Sequence, residues 1–237
     1  MGQSDGMCGR FNVIDNPGLR QLLQDLGIDQ ALPEGVNIAP TEAISLARDA
    51  GAGMTLDTAR WWLTPSWAPE VDQKYAMFNA RSETLATSRA FRHPFRCQRG
   101  VVPMSSFIEW RPEGGVKQPW LITGEQRALA VAALWDVWER GADPLLSCAL
   151  VTTAAPAEFA PWHARMPLLL TVDECRRWLD NSRPVAADDP LFHQRLKIPL
   201  RLQPLDRAVS NARNKQPELL QGVGALVQLR PGGGTPG

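Results

Sequence analysis

Tyrosine is almost absent from this chain of 237 residues, which has one, and histidine is scarce, with three. The four cysteines, Cys8, Cys97, Cys148 and Cys175, are widely spaced and form no C-x-x-C pair. That spacing argues against a zinc module and a disulfide framework, so no metal or cofactor is expected. Net charge is absent too. Lys+Arg and Asp+Glu number 25 each, which removes any global field toward nucleic acid or an anionic membrane. No apolar run approaches the length of a membrane span, and the opening MGQSDG lacks the basic start and apolar stretch of a signal peptide. There is no internal repeat, no Ser/Gly linker, and no heptad or long apolar face. The expectation is a monomeric, cytoplasmic protein of one domain.

Tryptophan, by contrast, is abundant at nine residues, and so many large aromatics must build a core or a stacking surface. Asn16-Pro17 followed by Leu19, Leu22, Leu23 and Leu26, then Gly27, predicts a capped amphipathic helix. Thr171-Val-Asp-Glu174 is a capping box that opens a second helix onto Cys175, Trp178 and Leu179. A third short helix is predicted after Pro217, with Glu218 in its first turn. Between these lie apolar, β-branched or alternating runs at Ala43–Leu46, Val101–Trp110, Trp120–Thr123, Leu129–Leu134, Leu145–Thr152, Leu168–Leu170 and Leu200–Val209. Many short strands with peripheral helices predict an α+β fold: a single domain with a curled, barrel-like, mostly antiparallel sheet. From Pro231 the sequence PGGGTPG reads as a flexible tail, which leaves 8–230 as the domain and 1–7 as an extension.

Charge is unevenly placed. Arg81, Arg89, Arg92, Arg96 and Arg99 face one acid, Glu83, and six basic residues from Arg195 to Lys215 face only Asp206. A solvated surface accounts for either run as well as a binding site does. The first run has no lysine, which leans toward phosphate or carboxylate recognition, because the guanidinium fork binds such oxygens in pairs.

Chemistry can begin at Met7-Cys8-Gly9-Arg10-Phe11. As an internal residue Cys8 offers a thiol and an inert amide. As a first residue it offers a thiol and an amine on adjacent carbons, both partly nucleophilic at neutral pH. Such a 1,2-aminothiol condenses with an aldehyde to an imine, which closes through sulfur to a thiazolidine. The alternative is a buried small hydrophobe. Three further stretches offer partners: Phe78-Asn79-Ala80-Arg81-Ser82-Glu83, Phe107-Ile108-Glu109-Trp110 and Trp162-His163-Ala164-Arg165. A carboxylate between large apolar groups is expected to hold its proton more tightly than usual. His163 beside a tryptophan is an acid/base candidate, and Asn79 can give or take hydrogen bonds without changing charge. Each also has a purely structural explanation, as a salt-bridged strand residue, a satisfied polar group or a turn residue.

Seven motifs in order narrow this choice. Met7-Cys-Gly-Arg-Phe11, Asn37-Ile-Ala-Pro-Thr41, Trp61-Trp-Leu-Thr-Pro-Ser-Trp67, Asn79-Ala-Arg-Ser-Glu-Thr84, Phe107-Ile-Glu-Trp110, Ala133-Leu-Trp135 and His163-Ala-Arg-Met-Pro167 resemble the SOS response-associated peptidase family from Cys8 to about Leu220. The resemblance implies a DNA-damage protein that senses abasic sites in single-stranded DNA and caps them with a covalent thiazolidine crosslink. It implies Cys8 as the nucleophile, Asn79 as the group that orients the adduct, Glu109 as the proton carrier, and His163 as the aid to sugar ring opening and strand cleavage. It further implies Arg81 at the phosphate beside the lesion with Thr152 in the same pocket, Trp67 as a stacking platform, and Asn37 and Pro40 on the DNA-facing surface. The partner implied is single-stranded DNA containing abasic sites, with no membrane.

This chain departs from the family pattern in places. The family's Gly-Phe-Tyr-Glu-Trp is here Ser106-Phe107-Ile108-Glu109-Trp110, Trp62 stands where a glycine is usual, and Ala164 follows the histidine. No proposed catalytic side chain is lost. The extension Met1–Met7 has three explanations: translation from Met7 with methionine removal, self-cleavage of the Met7–Cys8 bond, or retention without crosslinking. The first is preferred and the second follows. Two other functions are weighed beside covalent capture: a cysteine peptidase acting in trans, and a noncatalytic single-strand binder.

Overall fold

The computed structural model describes residues 9–72 and 74–232. Cys8, the extension Met1–Met7 and the tail beyond Gly232 lie outside the described residues. The strands are β1 (Phe11–Val13), β2 (Gly35–Ile38), β3 (Ala43–Asp49), β4 (Met54–Trp61), β5 (Asn79–Arg81), β6 (Arg99–Met104) and β7 (Ser106–Glu113). They continue as β8 (Val116–Gly124), β9 (Leu129–Trp138), β10 (Leu145–Ala154), β11 (Arg165–Pro167), β12 (Leu169–Leu170), β13 (Leu200–Pro204) and β14 (Val227–Leu229). Among the described residues three α-helices accompany them: α1 (Pro17–Asp25), α2 (Arg92–Cys97) and α3 (Val172–Leu179).

Two sheets result. One has six strands in the order β14-β13-β8-β7-β1-β2. The other has eight, and in it β10, β4, β3, β6 and β9 close into a five-stranded barrel through the β9–β10 ladder, with β5, β11 and β12 alongside. Pairing is antiparallel except where β10 runs parallel to β4 and β5. This is the curled, mostly antiparallel sheet that the sequence predicts. The apolar run Val101–Trp110 proves to be two strands in different sheets. Ser105 is the corner between them: its N–H and hydroxyl both donate to the Asn12 carbonyl, at 2.9 and 3.0 Å.

Alternation along β9 sends Leu129, Val131 and Ala133 into a core shared with the six-stranded sheet, and Ala130, Ala132 and Leu134 to the side on which the helices pack. α1 begins where predicted, with Asn16 accepting from the Leu19 N–H at 2.9 Å, and Leu19, Leu22 and Leu23 turn inward. α3 has the full capping box and buries Cys175, Trp178 and Leu179. The segment Pro217–Leu220 is a 3₁₀ turn of four residues, whose Leu219 and Leu220 pack half-buried against Ile108, Leu205 and Val209. α2 was not foreseen. It carries Pro94 in its first turn, where proline is tolerated, and buries Phe95 against Trp178 with ring centroids 6.1 Å apart.

Arg99 ties these helices to the barrel. It is fully buried, and its guanidinium donates to carbonyls at and just beyond two helix ends: Nε to Trp178 at 2.7 Å, Nη1 to Phe95 and Arg96 at 2.9 Å each, Nη2 to Asp180 at 2.6 Å and to Arg183 in the turn after α3 at 2.8 Å. The last carbonyls of a helix have no partner within it, and one guanidinium here serves two helix ends at once. Replacing it leaves those carbonyls buried and short of donors. Arg99→Met is expected to lower unfolding free energy by about 3 kcal/mol or more, and Arg99→Lys, with three donors in place of a rigid fork of five, to recover only part of it. Urea titration of the variants measures this. A midpoint shift of Arg99→Met within experimental error of wild type would exclude the pin.

Candidate functional site

Strand alternation decides which predicted residues can meet. On β10, Leu150 faces the core shared by the two sheets, and β5 lies beside it in parallel register, with Asn79 opposite Leu150 and Arg81 opposite Thr152. Paired residues share a face, so Asn79, Arg81 and Thr152 look toward that core. From the other sheet, Phe107 of β7 looks into the same core, and Glu109, two residues on, shares its face. β1 pairs with β7 through Phe11 opposite Phe107, and Ile108 donates to the Arg10 carbonyl at 2.9 Å. Carried back one step, this register sets Gly9 opposite Glu109. Glu109 is buried, and Oε1 accepts from the Trp110 N–H at 3.3 Å.

Aromatic packing holds the pieces. Phe11 meets Trp61 edge-on at 5.1 Å, and the Trp61 indole donates to the Phe78 carbonyl at 2.9 Å, immediately before Asn79. Phe107 packs on Phe159 at 6.1 Å, and Trp162 meets Trp120 edge-on at 5.6 Å, immediately before His163. Trp120 is itself the cross-strand partner of Glu109.

His163 is half-buried and its Nδ1 lies 3.1 Å from both the N–H and the carbonyl of Arg165. A neutral ring accepts from that N–H and a protonated ring donates to that carbonyl, so either state is held without turning the ring. No described residue hydrogen-bonds Nε2, the atom left to act. The Arg165 guanidinium is in turn fixed. It forms a two-bond fork with Glu83 at 2.8 and 2.9 Å, and Nη2 also donates to the Thr152 carbonyl at 2.9 Å and hydroxyl at 3.2 Å. Arg165 and Glu83 therefore join the candidate site, although no local sequence pattern gives either a role. Both stand inside quoted motifs, but only the β5–β10–β11 pairing brings them together.

Two expected surface contacts are internal. Thr152 is fully buried, and its hydroxyl accepts from Arg165. Asn37 is fully buried as well, and its amide donates to the carbonyls of Val209, Asn211 and Asn214 at 2.9, 3.1 and 3.0 Å. It anchors the 209–214 loop to β2. Among the described residues, the non-glycine positions with positive φ are Asn37 at 51° and Thr41 at 81°, and they flank the half-buried Pro40. For β-branched Thr41 that conformation is strained, and such strain collects at functional segments. Trp67 is 42% exposed, with the Arg89 guanidinium 4.1 Å over its ring. It borders a cavity of about 320 Å³ shared with Leu63, Tyr75 and Met77, whose rim also carries Glu70 and Asp72. Arg81 is exposed.

The profile of the SOS response associated peptidase (SRAP) family matches residues 7–212. The abasic site processing protein YoqW of Bacillus subtilis (strain 168) is 32% identical over 228 residues, which is 91% of this chain and 99% of that protein. The abasic site processing protein YedK of Escherichia coli (strain K12) is 30% identical over 231 residues, 92% of this chain and 100% of that one. A crystal structure of a Bacteroides thetaiotaomicron protein superposes with a TM-score of 0.75 at 19% identity, over 91% of this chain and 100% of that chain, and shares the fold.

The Arg165 fork generates a pH signature. Hydrogen bonding from Arg165, which outweighs the opposing effect of partial burial, holds the Glu83 carboxyl below its ordinary 4.5. A lowered carboxyl stabilises the fold above the unfolded value and loses that contribution as pH falls through the folded one. Glu83→Gln is therefore expected to melt below wild type at neutral pH, and the gap to close as pH drops beneath 4.5. Thermal scans of both proteins across that range test it. A gap that stays constant would mean the fork is not formed in solution.

Proposed function

The chain belongs to the SOS response-associated peptidase family, and from that premise we propose that it processes abasic sites in single-stranded DNA by covalent capture at Cys8. The observations that support the proposal are strand alternation, which turns Asn79 of β5 and buried Glu109 of β7 toward the same intersheet core, and the β1–β7 register, which when extended from Phe11 sets Gly9 opposite Glu109. Cys8 is one peptide bond upstream of Gly9, so its Cα is about 3.8 Å from that of Gly9. The relatives named above are abasic site processing proteins, and the family match begins at Met7, the residue before Cys8.

The chemistry follows from the groups. The ring-closed sugar of an abasic site opens to an aldehyde, a proton transfer for which His163 Nε2 is the available acid/base. The Cys8 amine adds to the aldehyde carbon, and loss of one water gives the imine. The thiol then adds to the same carbon, its proton passes to nitrogen, and the thiazolidine closes. Glu109 carries protons in the dehydration, a task that suits a carboxyl screened from bulk water. The Asn79 amide orients the adduct without a change of charge. Arg81, exposed at the end of β5, binds the adjoining phosphate, and Trp67 stacks a neighbouring base. The amine has to be free, by translation from Met7 and methionine removal, or by attack of the Cys8 thiol on the Met7 carbonyl, which moves the acyl group to sulfur, followed by hydrolysis of that thioester to release the 1–7 peptide and the thiol.

Denaturing intact-mass measurement of the protein with a single-stranded oligonucleotide carrying one abasic site tests this directly. The expected species is the chain from Cys8 plus the oligonucleotide less one water. Cys8→Ala is expected to give none, and Glu109→Gln to slow capture by about 100-fold or more, the usual scale for losing a positioned proton carrier. Protein expressed from Met7 that forms no adduct would overturn covalent capture. Turnover of peptides by the same preparation would instead favour a peptidase acting in trans.

A further inference from the structure

The run of arginines from Arg81 to Arg99 divides in the structure. Arg99 is the buried pin of the helix ends, whereas Arg81, Arg89, Arg92 and Arg96 remain exposed. Among the described residues no carboxylate makes an ion pair with any of these four. The second basic run behaves differently: Arg195 and Lys197 pair with Glu174, Arg201 with Glu125, and Lys215 with Glu42. Four of the six basic residues of that run are thus paired with carboxylates, whereas none of the four exposed arginines of the first run is, among the described residues.

The imbalance works against local stability. Arg92 and Arg96 stand one turn apart on the exposed side of α2, with Pro94 and Phe95 turned inward, and the helix has no acid. Like charges at this spacing repel, and Arg92 at the helix start opposes the dipole, although Arg96 in the last turn complements it. A rule broken on an exposed face with no internal compensation marks a surface kept for something else.

The surface is also grooved. Trp67, Arg89, Arg92 and His93 line a cavity of about 270 Å³, and Arg92, His93 and Arg96 line a neighbouring one of about 570 Å³. The two meet at Arg92 and His93. The single acid in this lining, Asp136, is buried and accepts from the N–H groups of Ser66 and Val137 at 2.8 and 2.9 Å, so it is turned away from a ligand.

We infer that this groove is a second phosphate track, which grips single-stranded DNA at nucleotides beyond the reacting one, starting at Trp67 and running along α2 over Arg92 and Arg96. The inference rests on the function proposed above and deepens it by extending the length of strand recognised. Guanidinium forks match phosphate oxygens, and an exposed indole within the row suits unpaired bases, which a duplex would keep stacked on each other.

Binding of an undamaged single-stranded oligonucleotide across a salt series separates this track from the reacting residues. Each phosphate contact on a single strand contributes about 0.7 to the slope of log K against log salt, so Arg92→Ala/Arg96→Ala is expected to reduce the slope by about 1.4 and weaken binding about 25-fold at 0.1 M salt. Arg92→Lys/Arg96→Lys is expected to restore most of that slope, because charge releases the counterions. With the repulsion on α2 relieved, the alanine variant is expected to melt at or above the wild-type temperature, which separates lost binding from lost folding. An unchanged salt slope, with wild type still binding, overturns the track and leaves the chemistry at Cys8 untouched. A wild type that binds no single-stranded DNA overturns the proposed function and the track with it.

Discussion

The site depends on aromatic packing between the two sheets. Phe11 against Trp61, Phe107 against Phe159 and Trp120 against Trp162 fill the space where the barrel meets the six-stranded sheet. Each contact fixes the chain next to a polar group. Asn79 follows Phe78, which holds the Trp61 indole through its carbonyl; Glu109 lies two residues past Phe107; His163 follows Trp162. Large rigid rings lose little entropy on burial and leave few alternative packings, so they set backbone positions more closely than aliphatic side chains would. Polar groups one or two residues away inherit that precision, which catalysis by positioned groups requires.

Arginine shows how much the surroundings decide. Arg99, Arg165 and Arg92 carry the same guanidinium. Arg99 has its donors on five carbonyls and acts as an internal cap for two helices. Arg165 is divided between Glu83 and the Thr152 strand edge, so it holds the segment that carries His163 while remaining partly open to the surface. Arg92 has no ionic partner among the described residues and stands in solvent on a helix it destabilises. Fully bonded internally, shared, and uncommitted are three states of one side chain, and they rank its availability to a phosphate.

These distinctions explain what the sequence made legible. Caps are local, so Asn16-Pro17 and the Thr171–Glu174 box fixed two helices correctly, and the apolar runs of β8, β9, β10 and β13 announced themselves. β4 and β5 did not, since Met-Thr-Leu-Asp-Thr-Ala-Arg-Trp and Asn-Ala-Arg carry too little apolar alternation and are held by their neighbours. Val101–Trp110 looked continuous because the corner at Ser105 is made by a hydrogen bond to Asn12, ninety-three residues away in sequence. The motifs placed the candidate residues in the chain. That Thr152 and Asn37 turn inward, that Arg99 differs from Arg96, and that Glu83 meets Arg165 all follow from pairings across more than eighty residues or from burial, which no local pattern carries.

The same geometry bears on why the proposed chemistry needs a chain start. β1 is only three residues long and is held on both edges, by β2 and by β7, from Phe11 onward. Between Phe11 and Cys8 there are three residue steps, a reach of about 10 Å at full extension. A nucleophile on so short a tether cannot search for its target. Under the proposed mechanism it acts only if the lesion is delivered to Glu109 and Asn79, a task left to the groups proposed to grip the strand. Under this scheme a residue left in front of Cys8 does two kinds of harm. It converts the amine to an amide that cannot form the imine, and it adds bulk where the sugar must enter. Capture and exposure of the first residue are then a single requirement, imposed by a strand fixed three residues downstream.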